Sequence, residues 1–258
     1  MDLDLKDRRA LITGATAGIG RAIAHSLAAE GVEIALVGRR VDQLNSVRQE
    51  CLSAGALRVI AIEMDMMIEG APEETAKQAI DQCGGIDILV NCMGASKAIT
   101  LEESEEGWEA SMTLNWVRHR QMTRHVLEGM QERQWGRVIN VTGPNEVTVT
   151  GSNGPMGLNS AAVAKTAVHA WSKGVSDVVA KDGITVNCIG PGKIMSEQIE
   201  RNYTPEGRAT LAKTFIPMGR FGEPGELADL ATFLASPRAS YITGTVIPVD
   251  GGLKRFMF

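Results

Sequence analysis

Aromatic residues are scarce in this chain of 258 residues: five phenylalanines, four tryptophans and two tyrosines, Tyr203 and Tyr241. Any phenolic chemistry must come from one of those two positions. Cysteine is scarce as well. Cys51, Cys83, Cys92 and Cys188 form no C-x-x-C pair, which argues against a zinc knuckle or dithiol motif and fits free thiols in a reducing compartment. His25, His119, His125 and His169 are dispersed without ligand spacing, so no metal site is expected. No apolar run approaches the roughly 20 residues that span a bilayer, and Met1 to Arg9 alternates charged and apolar residues, unlike a signal segment. A cytoplasmic protein without membrane contact is expected. Positive charge is not in excess either. The formal net charge is −5 with Lys and Arg scattered, leaving no basic field for nucleic acid.

What is present is ordinary globular composition, 44% hydrophobic and 22% charged, with no internal repeat and no Pro/Gly/Ser-rich linker. One domain over residues 1–258 is expected. Strand-like apolar runs recur at Ala10–Thr13, Glu33–Val37, Arg58–Ile62, Asp87–Val90, Arg137–Val141, Ile184–Cys188 and Thr245–Val249. Between most of them lie segments with helical periodicity: Ile19–Ala29, Val41–Ser53, Pro72–Gln82, Trp108–Arg133, Ala161–Lys181 and Glu226–Leu234. Alternation of this kind predicts right-handed βαβ crossovers. The fold class is α/β, a doubly wound parallel sheet of about seven strands of the Rossmann type with helices on both faces. In such sheets ligands sit at the carboxyl ends of the strands.

After the first strand the chain reads Thr13-Gly14-Ala15-Thr16-Ala17-Gly18-Ile19-Gly20, with a helical stretch following. Strand, glycine-rich turn and helix in this order place backbone N–H groups where a pyrophosphate can sit. Gly14 permits the tight turn, Gly18 the approach of the anion, and Gly20 close packing of helix on strand. A glycine-rich turn without a ligand is common, so the surrounding pattern decides. After the second strand comes Gly38-Arg39-Arg40. A carboxylate there would bind a ribose 2′-hydroxyl, whereas arginine favours a 2′-phosphate. Arg39 therefore points to NADP, with NAD still possible; Arg40 also reads as a solvated residue opening a helix.

The spacing T-G-x-x-x-G-x-G resembles the short-chain dehydrogenase/reductase family. Further segments carry the resemblance: Asp65 after the third strand, Asn91-Cys92-Met93-Gly94 for the family's N-N-A-G turn, Leu114-Asn115, Asn187-Cys188-Ile189-Gly190-Pro191-Gly192, and Val249-Asp250-Gly251-Gly252. It spans about Leu5 to Leu253. The resemblance implies a nicotinamide dinucleotide held by Gly14, Thr16, Gly18, Ile19, Gly20, Arg39, Asp65, Met66, Asn91, Gly94, Lys165, Pro191, Gly192, Ile194 and Ser196. It gives Asn115 a place in the catalytic set, and it implies that the segment from about 193 to 218 covers the substrate. A homotetramer or homodimer is implied by the same resemblance, and the apolar tail Lys254 to Phe258 could pack on a neighbouring subunit.

Members of that family use a tyrosine to move the proton, a lysine four residues later to lower its pKa, and a serine to polarise the substrate oxygen. Here Lys165 is in place, but Ala161 stands at the tyrosine position and Gly143 at the serine position, with Thr142 just before it. Neither tyrosine of the chain has a lysine four residues downstream. Gly143 and Ala161 are also separated by a segment longer than the family pattern, polar and glycine-rich. It reads equally as a solvated excursion or as a remodelled site wall. Replacement donors are Thr142, Lys165 if desolvated, Asn145, Glu146, Asn153, Asn159 and Ser160 on or beside the inserted loop, and Lys193 and Tyr203 on the covering segment; the sequence does not choose among them. Asn115, Lys165 and Thr142 form the expected catalytic set.

The expected function is hydride transfer between NADP(H) and a small alcohol or carbonyl substrate, with a non-standard proton donor. Two other classes stay open. One is a catalytically silent dinucleotide-binding regulatory or assembly protein; the other is a lyase or isomerase with Glu146 or Lys165 as base.

Overall fold

Strand β1 (Arg9–Thr13) carries Ala10 and Ile12 into one core layer and Leu11 into the other. Successive strand side chains point to opposite faces, so a strand covered on both sides reads as a continuous apolar run. The computed structural model describes residues 2–95, 98–99, 104–143 and 158–253. In chain order the further elements are α1 (Gly18–Ala29), β2 (Glu33–Gly38), α2 (Val41–Ala54), β3 (Val59–Glu63), α3 (Ala71–Cys83), β4 (Ile88–Asn91) and the two-residue β5 (Ala98–Ile99). Then follow α4 (Glu105–Met112), α5 (Arg118–Glu132), β6 (Gly136–Val141), the two-residue β7 (Leu158–Asn159) and α6 (Ser160–Val179). The described chain closes with β8 (Ile184–Pro191), α7 (Glu197–Asn202), α8 (Pro205–Phe215), α9 (Pro224–Ala235) and β9 (Val246–Val249).

Seven strands form one parallel sheet in the order β3-β2-β1-β4-β6-β8-β9. The fold is the expected doubly wound α/β sheet. One face is covered by Ile23 and Leu27 of α1, Leu44 and Val47 of α2, and Leu227 and Leu234 of α9. The opposite face is covered by Ala76 and Ala79 of α3, Met122, Val126 and Met130 of α5, and Val179 of α6. Strand order reverses between β1 and β4, which opens a crevice at their carboxyl ends. A third apolar cluster, with Leu211, Ile216 and Phe221 at its centre and Met195, Ile199, Tyr203 and Phe215 against it, gathers the segment after β8 into a small lobe.

Three local features differ from the sequence reading. The helix expected over Trp108–Arg133 is broken by a π-helical turn at Thr113–Val117. Its cause is visible at Asn115, whose Nδ2 donates to the Ser111 carbonyl at 3.0 Å, the acceptor that the regular i−4 ladder would use; such competition widens a helix locally. β8 runs three residues past Cys188 because Gly190 and Pro191 find register partners in Pro248 and Val249 of β9. β5 and β7 pair antiparallel, Ala98 with Asn159, a contact that no local pattern announces.

At the opposite end of the sheet, Asp87 is buried between two arginines. Arg9 donates from Nε and Nη2 at 2.8 Å each, and Arg133 from Nε at 3.1 Å. Burial by itself would raise the Asp87 pKa, but the hydrogen bonds and charge of Arg9, joined by Arg133, hold it below the ordinary aspartate range. A carboxyl whose folded-state pKa is depressed adds stability that is complete above its ordinary value of 3.8 and is lost as pH falls through the folded value. Asp87→Ala is expected to cost about 3 kcal/mol in denaturant unfolding at neutral pH, because it strands two partly buried guanidinium groups. The variant should also lose part of the wild type's decline in stability below about pH 4.

Candidate active site

The glycine turn is shaped by contacts that exclude side chains. Gly14 has φ +69°, and a Cβ there would stand 3.0 Å from the Met93 backbone. A Cβ on Gly20 would meet the carbonyl oxygen of Gly14, so α1 can begin only against glycine. The N-terminus of α1 has no side-chain cap, because its N-cap position is Ala17. Its orphan N–H groups remain free to face an anion. Gly18 approaches the far side of the cleft, where a Cβ would lie 4.0 Å from the Ser196 Cβ. Ile19 is half-buried against the core layer of α1.

At the end of β2, a Cβ on Gly38 would stand 2.5 Å from Thr16 Cγ2. The Thr16 methyl therefore occupies the space in which an acidic side chain would begin. Arg39 is exposed. Arg40 reaches back over the turn, donating to Thr16 Oγ1 at 3.2 Å and to Glu197 Oε2 at 3.4 Å. Arg40 is exposed, as its solvated reading expects, and it also links the glycine turn to α7. Asp65 accepts from the Met67 N–H at 2.9 Å. That turn is clamped from below by Arg118, which donates to the carbonyls of Met66, Met67 and Ile68.

The turn after β4 is fixed from two directions. The Thr13 hydroxyl accepts from the N–H groups of Cys92 and Met93 at 3.1 and 3.3 Å, joining the carboxyl ends of β1 and β4 at the crevice. His119 Nε2 donates to the Met93 carbonyl at 2.8 Å. Burial pushes the His119 pKa down to about 4, so the ring is neutral at physiological pH. The Asn91 amide faces Asn140 Oδ1 at 2.9 Å and Thr123 Oγ1 at 3.2 Å inside the same buried network.

Gly94 is where the distant elements meet. A Cβ at this position would lie 2.8 Å from Asn115 Oδ1 and 3.7 Å from Lys165 Nζ. Asn115 makes a two-way contact with Ala95, accepting from its N–H and donating to its carbonyl, both at 3.1 Å. Lys165 Nζ donates to the Thr142 carbonyl at 2.9 Å. Burial lowers the Lys165 pKa below the ordinary lysine range, and the same burial pushes the nearby Cys92 thiol up to about 12. The thiol is therefore protonated and contributes no charge.

Thr142 is positioned differently from Asn115 and Lys165. Its hydroxyl is buried, donates to the Ile189 carbonyl at 3.1 Å and meets His169 Nε2 at 2.7 Å. The single proton of that hydroxyl is thus committed inward, and what Thr142 presents to Lys165 is its carbonyl. Ala161 lies buried one helical turn before Lys165, and the space beside Gly143 is taken by the Lys165 stem, 3.4 Å from a Cβ there. Ser160 donates to Ser111 Oγ at 2.7 Å. Asn145, Glu146 and Asn153 lie outside the described residues, as does the tail 254–258.

Beyond β8, a Cβ on Gly192 would press on Asp250 at 2.6 Å. Ile194 forms a parallel bridge with Gly222, and Ser196 caps α7 by accepting from the Ile199 N–H at 3.2 Å. Lys193 Nζ sits 5.9 Å from the Tyr203 ring centroid. Thr13, Arg118, His119 and His169 were missed as supports of the site. Three of them lie within apolar or helical runs, and their role is set by contacts far away in sequence; only Thr13, the last residue of a strand that opens a glycine turn, carried a usable positional signal. Thr13→Val keeps the shape but leaves two buried N–H groups unpaired. It is expected to lower stability by about 1–3 kcal/mol in thermal unfolding and to weaken dinucleotide binding measured by fluorescence titration.

A family model described as enoyl-(acyl carrier protein) reductase matches residues 14–254. The chain is 31% identical to a 3-oxoacyl-(acyl-carrier-protein) reductase of Aquifex aeolicus, covering 98% of this chain and 100% of that one. It is 34% identical to the enzyme of the same name from Vibrio harveyi, covering 97% and 99%. Among solved structures it is similar to YwfH, an NADPH-dependent reductase involved in bacilysin biosynthesis, with TM-score 0.88, 30% identity and coverage of 97% and 99%. A putative gluconate dehydrogenase from Agrobacterium tumefaciens superposes with TM-score 0.87 at 28% identity, covering 98% of each chain.

Proposed function

The chain belongs to the short-chain dehydrogenase/reductase family, and on that premise we propose that it is an NADP(H)-dependent oxidoreductase of a small carbonyl or alcohol compound in which Lys165 itself handles the proton. One observation carries this reading: the Lys165 amine is desolvated beside Gly94 and Asn115, while the residue one turn earlier on the same helix face, Ala161, bears no proton to give. The glycine turn with the uncapped α1 N-terminus fits a pyrophosphate, and Ser196, Ile194 and Pro191-Gly192 close the opposite side. When bound there, a nicotinamide dinucleotide supplies or accepts the hydride.

Lysine carries three N–H donors, and one is used on the Thr142 carbonyl. The remaining donors can polarise a substrate oxygen and deliver a proton to it. Desolvation favours this role because it brings the ammonium closer to the range in which proton transfer is efficient. Asn115 fixes the Ala95 backbone beside Gly94, and Thr142 acts through its carbonyl by orienting Lys165. At the other end of the cleft, Arg39 and Arg40 provide the positive charge that a 2′-phosphate requires, and Thr16 leaves no room for an acid at Gly38.

The test is a panel of sugar, hydroxy-acid and alicyclic alcohols and their carbonyl counterparts, followed by nicotinamide absorbance. Turnover in the wild type that falls by about 10²–10⁴ in Lys165→Ala supports the proposal. Tight dinucleotide binding without turnover on any compound would favour a silent binding protein instead. For the cofactor, NADP should bind more tightly than NAD, and Arg39→Ala should narrow the gap by about tenfold; equal wild-type affinities would remove the NADP assignment.

A further inference from the structure

Lys193 is a half-buried cation that meets no acid among the described residues. Its Nζ faces the Tyr203 ring at 5.9 Å, and no ion pair to it occurs among the described residues. The surrounding lobe is apolar, with Met195, Ile199, Tyr203 and Phe215 packed together. Burial holds the ammonium below the ordinary lysine range, with no carboxylate among the described residues to offset it. A lysine stem is long and flexible enough to carry its head to water, and surface lysines do so. A ring face recovers only part of the hydration that a half-buried ammonium gives up. A ligand anion would recover the rest.

Its position puts that anion next to the reacting end of the cleft. A Cβ on Gly190 would stand 3.1 Å from the Gly143 carbonyl oxygen, and one on Gly143 would stand 3.4 Å from Lys165 Cδ. Lys193 follows Gly190 by three residues, a span of at most about 10 Å of chain. One small molecule can therefore place a carbonyl oxygen at Lys165 and a negative group at Lys193.

We propose that Lys193 anchors a carboxylate of the substrate, so that the protein takes small keto acids and hydroxy acids over neutral carbonyl compounds and alcohols. The inference rests on the oxidoreductase reading of the same site. A phosphate of the dinucleotide has the same anionic chemistry, so the experiment separates the two sources.

Acetoacetate and methyl acetoacetate, and levulinate and methyl levulinate, are titrated into the NADPH-saturated protein, with binding read from cofactor fluorescence and turnover from NADPH oxidation. NADPH affinity is measured alone in each variant. In the wild type each acid should bind about tenfold more tightly than its ester, as expected for one partly buried ion pair. Lys193→Met should bring that ratio close to one without changing NADPH affinity, while Lys77→Met, which removes the same charge from an exposed helix face, should leave the ratio intact. Equal binding of acid and ester in the wild type overturns the proposal. So does a Lys193→Met variant that loses NADPH affinity and keeps the acid preference, which assigns the lysine to a cofactor phosphate. A Lys193-dependent acid preference with no NADPH oxidation supports the anchor and contradicts the redox reading of the site.

Discussion

The arrangement of the candidate site depends on the absence of a side chain at Gly94. Asn115 Oδ1 and Lys165 Nζ both come within 4 Å of the point where a Cβ would be, and they arrive there from elements that are far apart in the chain. Asn115 comes from a π-helical turn that its own amide helps to open. Lys165 comes from α6 and is steadied by the Thr142 carbonyl at the end of β6. The backbone just before Gly94, at Cys92 and Met93, is in turn fixed by the buried Thr13 hydroxyl and the neutral His119 ring. The order is one of support: a rigid sheet end, a clamped turn, then two side chains held against bare backbone.

Several cationic side chains gather at the candidate site although the chain as a whole is acidic. The chain carries a formal charge of −5, yet Lys165 and Lys193 are both largely removed from water, and Arg39 and Arg40 follow β2, Arg40 paired with Glu197. The Cys92 thiol remains neutral. Under the proposed function these cationic groups would draw anionic ligands to the site. The proposed dinucleotide phosphate and substrate carboxylate would both answer to these charges.

Much of this was legible in the sequence, for a physical reason. The α/β order, the seven strands and the glycine turn are local features: apolar runs, 3.6-residue periodicity and the spacing Gly14, Gly18, Gly20 each act within a few residues. Lys165 and Asn115 were legible as candidates because their motifs are short. What was not legible depends on distant partners. Thr142 reads as a donor beside Gly143, but the Ile189 carbonyl and His169 claim its hydroxyl. Arg40 reads as solvated and is exposed, but its bonds to Thr16 and Glu197 come from distant partners. The break in the fourth crossover helix was hidden because the apolar period continues through Thr113–Val117; one asparagine, in a position to compete for a backbone carbonyl, decides it.

The assignment of the proton to Lys165 is tested most directly by the pH dependence of single-turnover carbonyl reduction, compared between wild type and Lys165→Met. Reduction consumes a proton, so with lysine as the acid the wild-type rate should fall as pH rises through an apparent pKa below the ordinary lysine value of 10.5. Oxidation of the alcohol should rise through the same value, and neither inflection should survive in the variant. An inflection that persists without the Lys165 amine, or a wild-type rate that is flat across that range, would contradict it.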